Sequence, residues 1–240
     1  GGGPGGGLGG GLGADCGLST SMDSLHPLRD AGGRDDGTIA TMASGPGAAA
    51  AAAQRVGEAG PALNVVTRPE TLFMIDPDGV GPNLRLSRGN MTVTNTVNKK
   101  WNACRAAAAF TQGVHSWEVH VDKCCSKNIF IGVVAAEGAL DNYVGSDRHG
   151  WGYLANKAVW HNKGKVRSYG ELFREGDRVG VRLDLDAGTL RFARNGRDLG
   201  PAVEGLPPGL PLYPAFSMYN KDDRLSLVPP EEARAAAAAS

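Results

Sequence analysis

Between residues 63 and 228 apolar side chains return at every second position in short runs. Val179, Val181, Leu183 and Leu185 alternate with Gly180, Arg182, Asp184 and Asp186, and Trp117, Val119 and Val121 alternate with Glu118, His120 and Asp122. Successive side chains of an extended chain point to opposite faces, so each run describes a strand with one buried and one wet face. Ile129 to Val134 is apolar throughout, as a strand covered on both sides would be. Thr189 to Ala193 puts Leu190 and Phe192 on one face, 212–217 and 225–228 read as the last strands, and 72–75 and 91–94 as early ones. Asp186-Ala-Gly188 is turn chemistry, and Asn195-Gly196 suits a two-residue hairpin because it tolerates positive φ. No long helical period interrupts the series. Many short strands joined by Gly, Pro, Asn and Asp predict an all-β fold, an antiparallel sandwich.

Composition sets the limits of that fold. Residues 1–62 are rich in glycine and alanine and hold no aromatic residue. Such a segment cannot bury enough apolar surface to offset the entropy of ordering, so it is expected to be a disordered tail. Pro229-Pro230 closes the informative region, and 229–240 is a second, Ala-rich tail. The predicted domain, 63–228, holds 21 lysines and arginines against 17 aspartates and glutamates. Lys157, Lys163, Lys165 and Arg167 are the nearest approach to a basic cluster; interleaved with glycine and aromatics they read as a solvated loop rim, and no nucleic-acid partner is expected. No apolar run has the length of a membrane span, and the start lacks the features of a signal peptide. Cys16, Cys104 and the adjacent Cys124 and Cys125 do not form a disulfide framework, which fits a reducing, cytoplasmic setting. His120 with Cys124 and Cys125 lacks the second ligand pair of a structural zinc site, so no metal or cofactor is expected. The pair reads as a plain strand-to-loop junction, with a reactive thiol at Cys124 or Cys125, beside Lys123 and Lys127, ranked above a metal as the alternative.

The stretch 144–165 gathers Asp147, Arg148, His149, His161, Trp151 and Trp160. Catalysis there would need a nucleophile held by a base and an orienting group. Ser116, Ser146 and Ser168 lack the strand-to-helix elbow that exposes one, and Asp147 with Glu171 is a pairing that any sandwich offers by chance. The chain is therefore not expected to be an enzyme. Gly145 to His149 reads as a turn, and Gly150-Trp-Gly-Tyr153 as the strand it enters. Rings at strand period bury about 150 to 250 Å² each, so Trp117, Trp151 and Phe192 are assigned to the core. Tyr143, Met218 and Tyr219 fall in predicted loops, where they either anchor a partner or fold back to cap the sandwich end.

Gly113-Val-His-Ser-Trp-Glu-Val119, Ile129-Phe-Ile-Gly-Val133, Gly150-Trp-Gly-Tyr153, Gly176-Asp-Arg-Val-Gly180, Leu183-Asp-Leu-Asp186, Phe192-Ala-Arg-Asn-Gly196 and Leu212-Tyr-Pro-Ala-Phe216 follow one another in an order and spacing that resembles the SPRY domain over nearly all of 63–228. The resemblance implies a bent antiparallel β-sandwich that recognises a peptide or folded protein through loops at one rim. Family members serve as partner or substrate receptors, many within ubiquitin ligases. His115 matches a packed, hydrogen-bonded position of the family. The loop 140–147 is similar to one wall of the peptide pocket in the SOCS-box and F-box SPRY proteins, which implies contacts from Leu140 and Tyr143. The opposite wall corresponds to 218–221, with Met218, Tyr219 and Asn220, and a third contributor to 94–98, with Thr94, Thr96 and Asn98. There the chain departs from the subfamily, which carries an arginine and a proline where Thr94 and Thr96 stand, so a preference for Asn-rich peptides does not transfer. No RING array or box helix is evident, so any ligase role is expected to come from ubiquitin ligase components elsewhere. The expected function is a noncatalytic protein-interaction module. The alternative is a calcium-dependent carbohydrate-binding sandwich of lectin type, using Asp141, Asn142 and Asp147.

Overall fold

The strands run β1 (Ile75–Val80), β2 (Leu84–Ser87), β3 (Thr92–Asn95), β4 (Asn102–Ala106), β5 (Val114–Lys123), β6 (Ile129–Val134), β7 (Gly150–Leu154), β8 (Ala158–His161), β9 (Gly164–Ser168), β10 (Arg178–Asp184), β11 (Thr189–Arg194), β12 (Arg197–Glu204), β13 (Tyr213–Met218) and β14 (Arg224–Val228) in a computed structural model that describes residues 73–228. They form two seven-stranded antiparallel sheets. The first has the order β1-β4-β13-β6-β7-β8-β9, the second β12-β11-β10-β5-β14-β3-β2. The expected tails, 1–62 and 229–240, and the domain boundary at 63 lie outside the described residues. Among the described residues no helix is long and apolar enough to cross a membrane.

Register explains why the alternating positions matter. In the first sheet Val159, Tyr153, Ile131, Phe216 and Cys104 stand side by side across five strands, all inaccessible to solvent. In the second, Phe192, Val181 and Trp117 form a comparable row. The two rows belong to one apolar cluster between the sheets. The Tyr153 ring lies 5.0 Å from Phe192 and 5.1 Å from Phe173. Its hydroxyl donates to the Glu171 carbonyl and accepts from Glu171 N at 2.9 Å, which satisfies the one polar atom that the ring carries into the core. Burial pushes this phenol up, well above the usual tyrosine range. His115 stacks on Phe110 at 3.8 Å and shares a 2.8 Å hydrogen bond with the Gln112 carbonyl, the packed position the resemblance implies.

An ion-pair network pins one end of the second sheet. Arg194 donates from Nε and Nη2 to both oxygens of Asp177, at 3.0 and 3.1 Å, and from Nη1 to Glu171 at 3.2 Å. Burial raises the Asp177 carboxyl, but donors from Arg194, Asn195 and the Arg174 amide outweigh it and hold the group below the usual range.

Three local expectations change. The first strand begins at Ile75, where the expected strand at 72–75 ends, and Phe73 precedes it and packs on Phe110 at 5.9 Å. The basic segment read as a loop rim is instead the β8–β9 hairpin, with Asn162 and Lys163 at φ 49° and 66° in its turn. All five residues of β9 are exposed, so the strand is held by its backbone bonds to β8 and leaves no apolar pattern to read. Arg167 on β9 donates to the carbonyls of Pro201 and Ala202 on β12, linking the free edges of the two sheets. Strands β2, β4, β8 and β12 also escaped prediction, being short or interrupted by glycine and proline.

Candidate functional site

The first sheet buries its outer face as well as its inner one. Along β6, Ile129, Ile131 and Val133 enter the core between the sheets, while Phe130 and Val134 join a second apolar cluster with Ala103, Val144, Leu154, Ala158, Trp160 and Ala215. What covers this cluster is the β6–β7 connection, residues 135–149. Two glycines permit the approach. The Val144 carbonyl lies 2.4 Å from where a Cβ at Gly152 would stand, and Gly145, at φ 96°, passes as closely over the Trp160 carbonyl, 2.6 Å from its own missing Cβ. Any side chain at either position would lift the loop off the sheet.

Hydrogen bonds fasten the loop at each turn. Ala103 N donates to Leu140 O at 2.8 Å, Val144 N to Ser217 Oγ at 3.1 Å, and Lys163 N to Gly145 O at 3.0 Å. Asp147 accepts from Ala139 N at 2.9 Å and from His149 N at 2.7 Å, closing the loop on itself. A loop tied in this way presents a preformed surface.

Aromatic rings build that surface. Tyr143 stacks on Phe130 at 5.1 Å and meets Trp160 edge-on at 5.9 Å. Trp101, just before β4, lies 5.5 Å from Tyr143, 5.4 Å from Phe130 and 5.0 Å from Tyr219. Phe130 and Trp160 are buried, whereas Trp101, Tyr143 and Tyr219 are partly exposed. Burial raises the Tyr143 phenol, so it stays neutral and able to donate near neutral pH. Trp101 joins the loop carrying Tyr143 to the turn carrying Tyr219. Sequence reasoning did not single it out, because it stands between Lys99-Lys100 and Asn102, outside any alternation; an aromatic ring at the mouth of a strand was the available signal.

The other expected rim residues divide by exposure. Leu140 packs at the margin of the outer cluster. Thr96 and Asn98 are exposed beside it in sequence with Trp101; Thr96 donates from N and Oγ1 to the Asn83 carbonyl, at 2.9 and 2.8 Å, and Lys100 N donates to Tyr219 O at 3.1 Å. Thr94 does not join them. Its neighbour Val93 enters the core, so Thr94 stands on the outer face of the second sheet, in register with Arg85 and Arg224. Met218 is likewise corrected: as the last residue of β13, two positions after Phe216, it faces inward and is fully buried between the sheets. Asn220 is buried too. It donates from Nδ2 to Ser126 Oγ, accepts from Asn95 Nδ2 at 3.1 Å, and donates from N to Asp223 Oδ2 at 3.0 Å. Asp223 also accepts from Cys125 N at 2.7 Å, and its burial pushes the carboxyl up to about 6 in spite of these donors.

The histidines of 144–165 have structural surroundings. His161 stacks on Trp151 at 4.6 Å and bonds through Nδ1 to Gly150 O at 2.8 Å, and His149 Nε2 accepts from Arg148 Nε at 3.2 Å. Of the residues considered for calcium, Asp147 has both oxygens taken by backbone amides, and Asn142 Oδ1 accepts from Tyr143 N at 2.9 Å. Among the described residues no three His, Cys, Asp or Glu side chains converge as a metal site would require.

Comparison with known proteins agrees with the fold. Residues 114–228 match the SPRY domain family model. F-box/SPRY domain-containing protein 1 of Drosophila mojavensis is 33% identical over 165 residues, which cover 64% of this chain and 65% of that protein. The protein of the same name in Drosophila virilis is 32% identical over 164 residues, covering 63% and 65%. The chain thus spans just under two thirds of the length of these relatives. The crystal structure of the SPRY domain of human HERC1 superposes with a TM-score of 0.58 at 21% identity, covering 65% of this chain and 98% of that one. The TRIM65 PSpry domain does so with a TM-score of 0.50 at 24% identity, covering 64% and 87%. The SPRY match over residues 114–228, the two seven-stranded antiparallel sheets and the buried Trp-Gly-Tyr strand together give this chain a SPRY-type β-sandwich fold.

Proposed function

We propose that the chain is a noncatalytic interaction module that receives a peptide or folded protein partner on the rim formed by Leu140, Tyr143, Trp101 and Tyr219, with Thr96 and Asn98 at its edge. The observation that carries this reading is the triad of partly exposed rings, Trp101, Tyr143 and Tyr219, within 5.5 Å of one another through Trp101, with Tyr143 on a loop that hydrogen bonds hold in place. Aromatic rings already ordered in the free protein lose little conformational freedom on binding, and Trp and Tyr are the residue types that dominate binding energy at interfaces. Met218 and Asn220 serve the rim from beneath, by fixing the turn that carries Tyr219, and Thr94 has no part in it.

The relatives whose name joins an F-box to a SPRY domain support a place for this module as the partner-recognising part of a ubiquitin ligase assembly, inside the cell. Cys104, Cys124 and Cys125 as thiols suit that reducing setting. The test is capture of partners by the full chain, compared with the Tyr219→Ala and Trp101→Ala variants. The reading requires one set of proteins to be lost from both variants; identical captures from all three would refute it.

A further inference from the structure

The turn between β5 and β6 sets two cysteines side by side at the root of the rim. Cys124 and Cys125 are partly exposed, whereas Cys104 is fully buried in the core, where loss of solvation drives its thiol far up and keeps it protonated. The Cys124 thiol donates to the Ser126 carbonyl, and the Cys125 thiol to the Lys221 carbonyl at 3.5 Å. Cys125 N donates to Asp223, and Ser126 Oγ accepts from Asn220 Nδ2 and from Asn128 N at 3.1 Å. The Cys125 sulfur therefore sits on the seam between this turn and residues 219–223, the segment that brings Tyr219 against Trp101, while the Cys124 sulfur is held within the turn itself. Lys127 is exposed beside them, and Lys123 lies 3.5 Å from Asp222 on the other side of the seam.

We propose that Cys124 and Cys125 form a redox-active vicinal dithiol, which peroxide closes to a disulfide that shifts the 219–223 turn. One thiolate attacks hydrogen peroxide, the O–O bond breaks, and a sulfenic acid and a water are left. The neighbouring sulfur then displaces the sulfenic oxygen as a second water and forms the S–S bond. Two thiols lose two electrons and two protons, and one peroxide becomes two waters. The resolving thiol is the adjacent residue, so no distant segment has to approach. The two sulfurs now rest on different carbonyls, and joining them removes at least one from its acceptor. Loss of the Cys125 bond to Lys221 O, with displacement of Cys125 N from Asp223, frees the turn beneath Tyr219. A dithiol reductant restores it.

The experiment uses the full chain carrying Cys16→Ser. Phenylarsine oxide, which condenses with two neighbouring thiols and releases water, is expected to bind one per chain and to be lost from both Cys124→Ser and Cys125→Ser. Iodoacetamide should label the pair at least about tenfold faster than Cys104. After mild peroxide treatment, trypsin should release Cys124–Lys127 lighter by two hydrogens, and hydrogen exchange at 219–223 should quicken and return with dithiothreitol. Arsenical binding that survives in either single variant, peroxide products confined to sulfinic or sulfonic acids, or a closed disulfide that leaves exchange at 219–223 unchanged would each overturn the proposal. None of these readouts needs a partner, so their failure is separable from failure of the rim reading, which the captures with Tyr219→Ala and Trp101→Ala decide.

Discussion

The two faces of the first sheet are both buried, but by different means. The inner face meets a second sheet, and its residues, Ile131, Tyr153 and Phe216 among them, have no contact with water. The outer face meets the 135–149 loop and Trp101. A sheet covers a sheet along its whole length, whereas a loop covers what its backbone can reach: here it passes over Gly152 and the Trp160 carbonyl, and at its margin Tyr143 packs on Trp101. The partly exposed rings at that margin are the result. Stability thus resides between the sheets, and the proposed recognition lies at the edge of the loop-covered face, so each part should be alterable with limited effect on the other.

The most damaging change should fall between the sheets. Trp117→Ala removes a ring that is 2% exposed in a row with Val181 and Phe192, and should cost about 3 to 5 kcal/mol, enough to unfold a domain of ordinary stability. A folded variant with an unchanged melting temperature, measured by circular dichroism, would dissolve the distinction between the faces.

Gly152→Ala probes the outer layer alone. Its Cβ would meet the Val144 carbonyl, so the loop must lift, at a cost of about 1 to 3 kcal/mol and with faster hydrogen exchange at 140–147. Exchange in β10 and β11 should stay as it was; parallel acceleration there would show the two faces to be one unit.

Smaller still in its effect on folding is loss of the exposed rings. Tyr143→Ala and Tyr219→Ala should each weaken binding of a captured partner by about 1 to 3 kcal/mol. They differ in stability, because Tyr143 also packs on Phe130 and Trp160 while the Tyr219 ring packs on Trp101. Calorimetry should find the melting temperature lowered by the first and nearly unchanged by the second. His149→Ala and His161→Ala should leave binding intact, and a histidine variant that alone abolished it would return the 144–165 stretch to consideration as a chemical site.

Asp223 joins the two parts, and its effect is read by pH. Its folded value, about 6, lies above the ordinary carboxyl value, so the folded protein holds the proton more tightly than the unfolded chain does. This group's contribution to stability is fully present below about pH 4 and lost as pH rises through about 6. Carbon-detected NMR of the carboxyl should show a midpoint near 6; a midpoint in the ordinary range would mean that its amide donors outweigh burial. Asp177 runs the other way, contributing stability that is lost as pH falls through its lowered value. The smallest effect is expected from trimming the chain to 63–228, which should leave the melting temperature within error if the alanine- and glycine-rich ends lie outside the fold; a drop of several degrees would extend the domain.

The alternating positions of β5, β10 and β11 could be read directly, because a strand with one wet face records its orientation in every second residue. The continuous run at 129–134 announced that the first sheet has two dry faces, and Asn195-Gly196 announced its turn. The first part of 144–165 was also legible, as the turn 145–149 entering the strand at 150. Strand β9 was not, since an exposed edge held by main-chain bonds needs no particular side chains. Met218 and Thr94 show the limit most clearly. Each belongs to a segment assigned to the rim, but the sequence leaves their facing open, and it is register with Ile129 and Asn102 in one case, and with Arg85 and Arg224 in the other, that turns Met218 into the core and Thr94 onto the outer face of the second sheet. Trp101 gained its place only when β4, β6 and β13 were brought together. Local periodicity, a property of neighbours along the chain, determined the strands; which rings meet at the rim depends on residues more than a hundred positions apart, and only the packing of the sheets decides that.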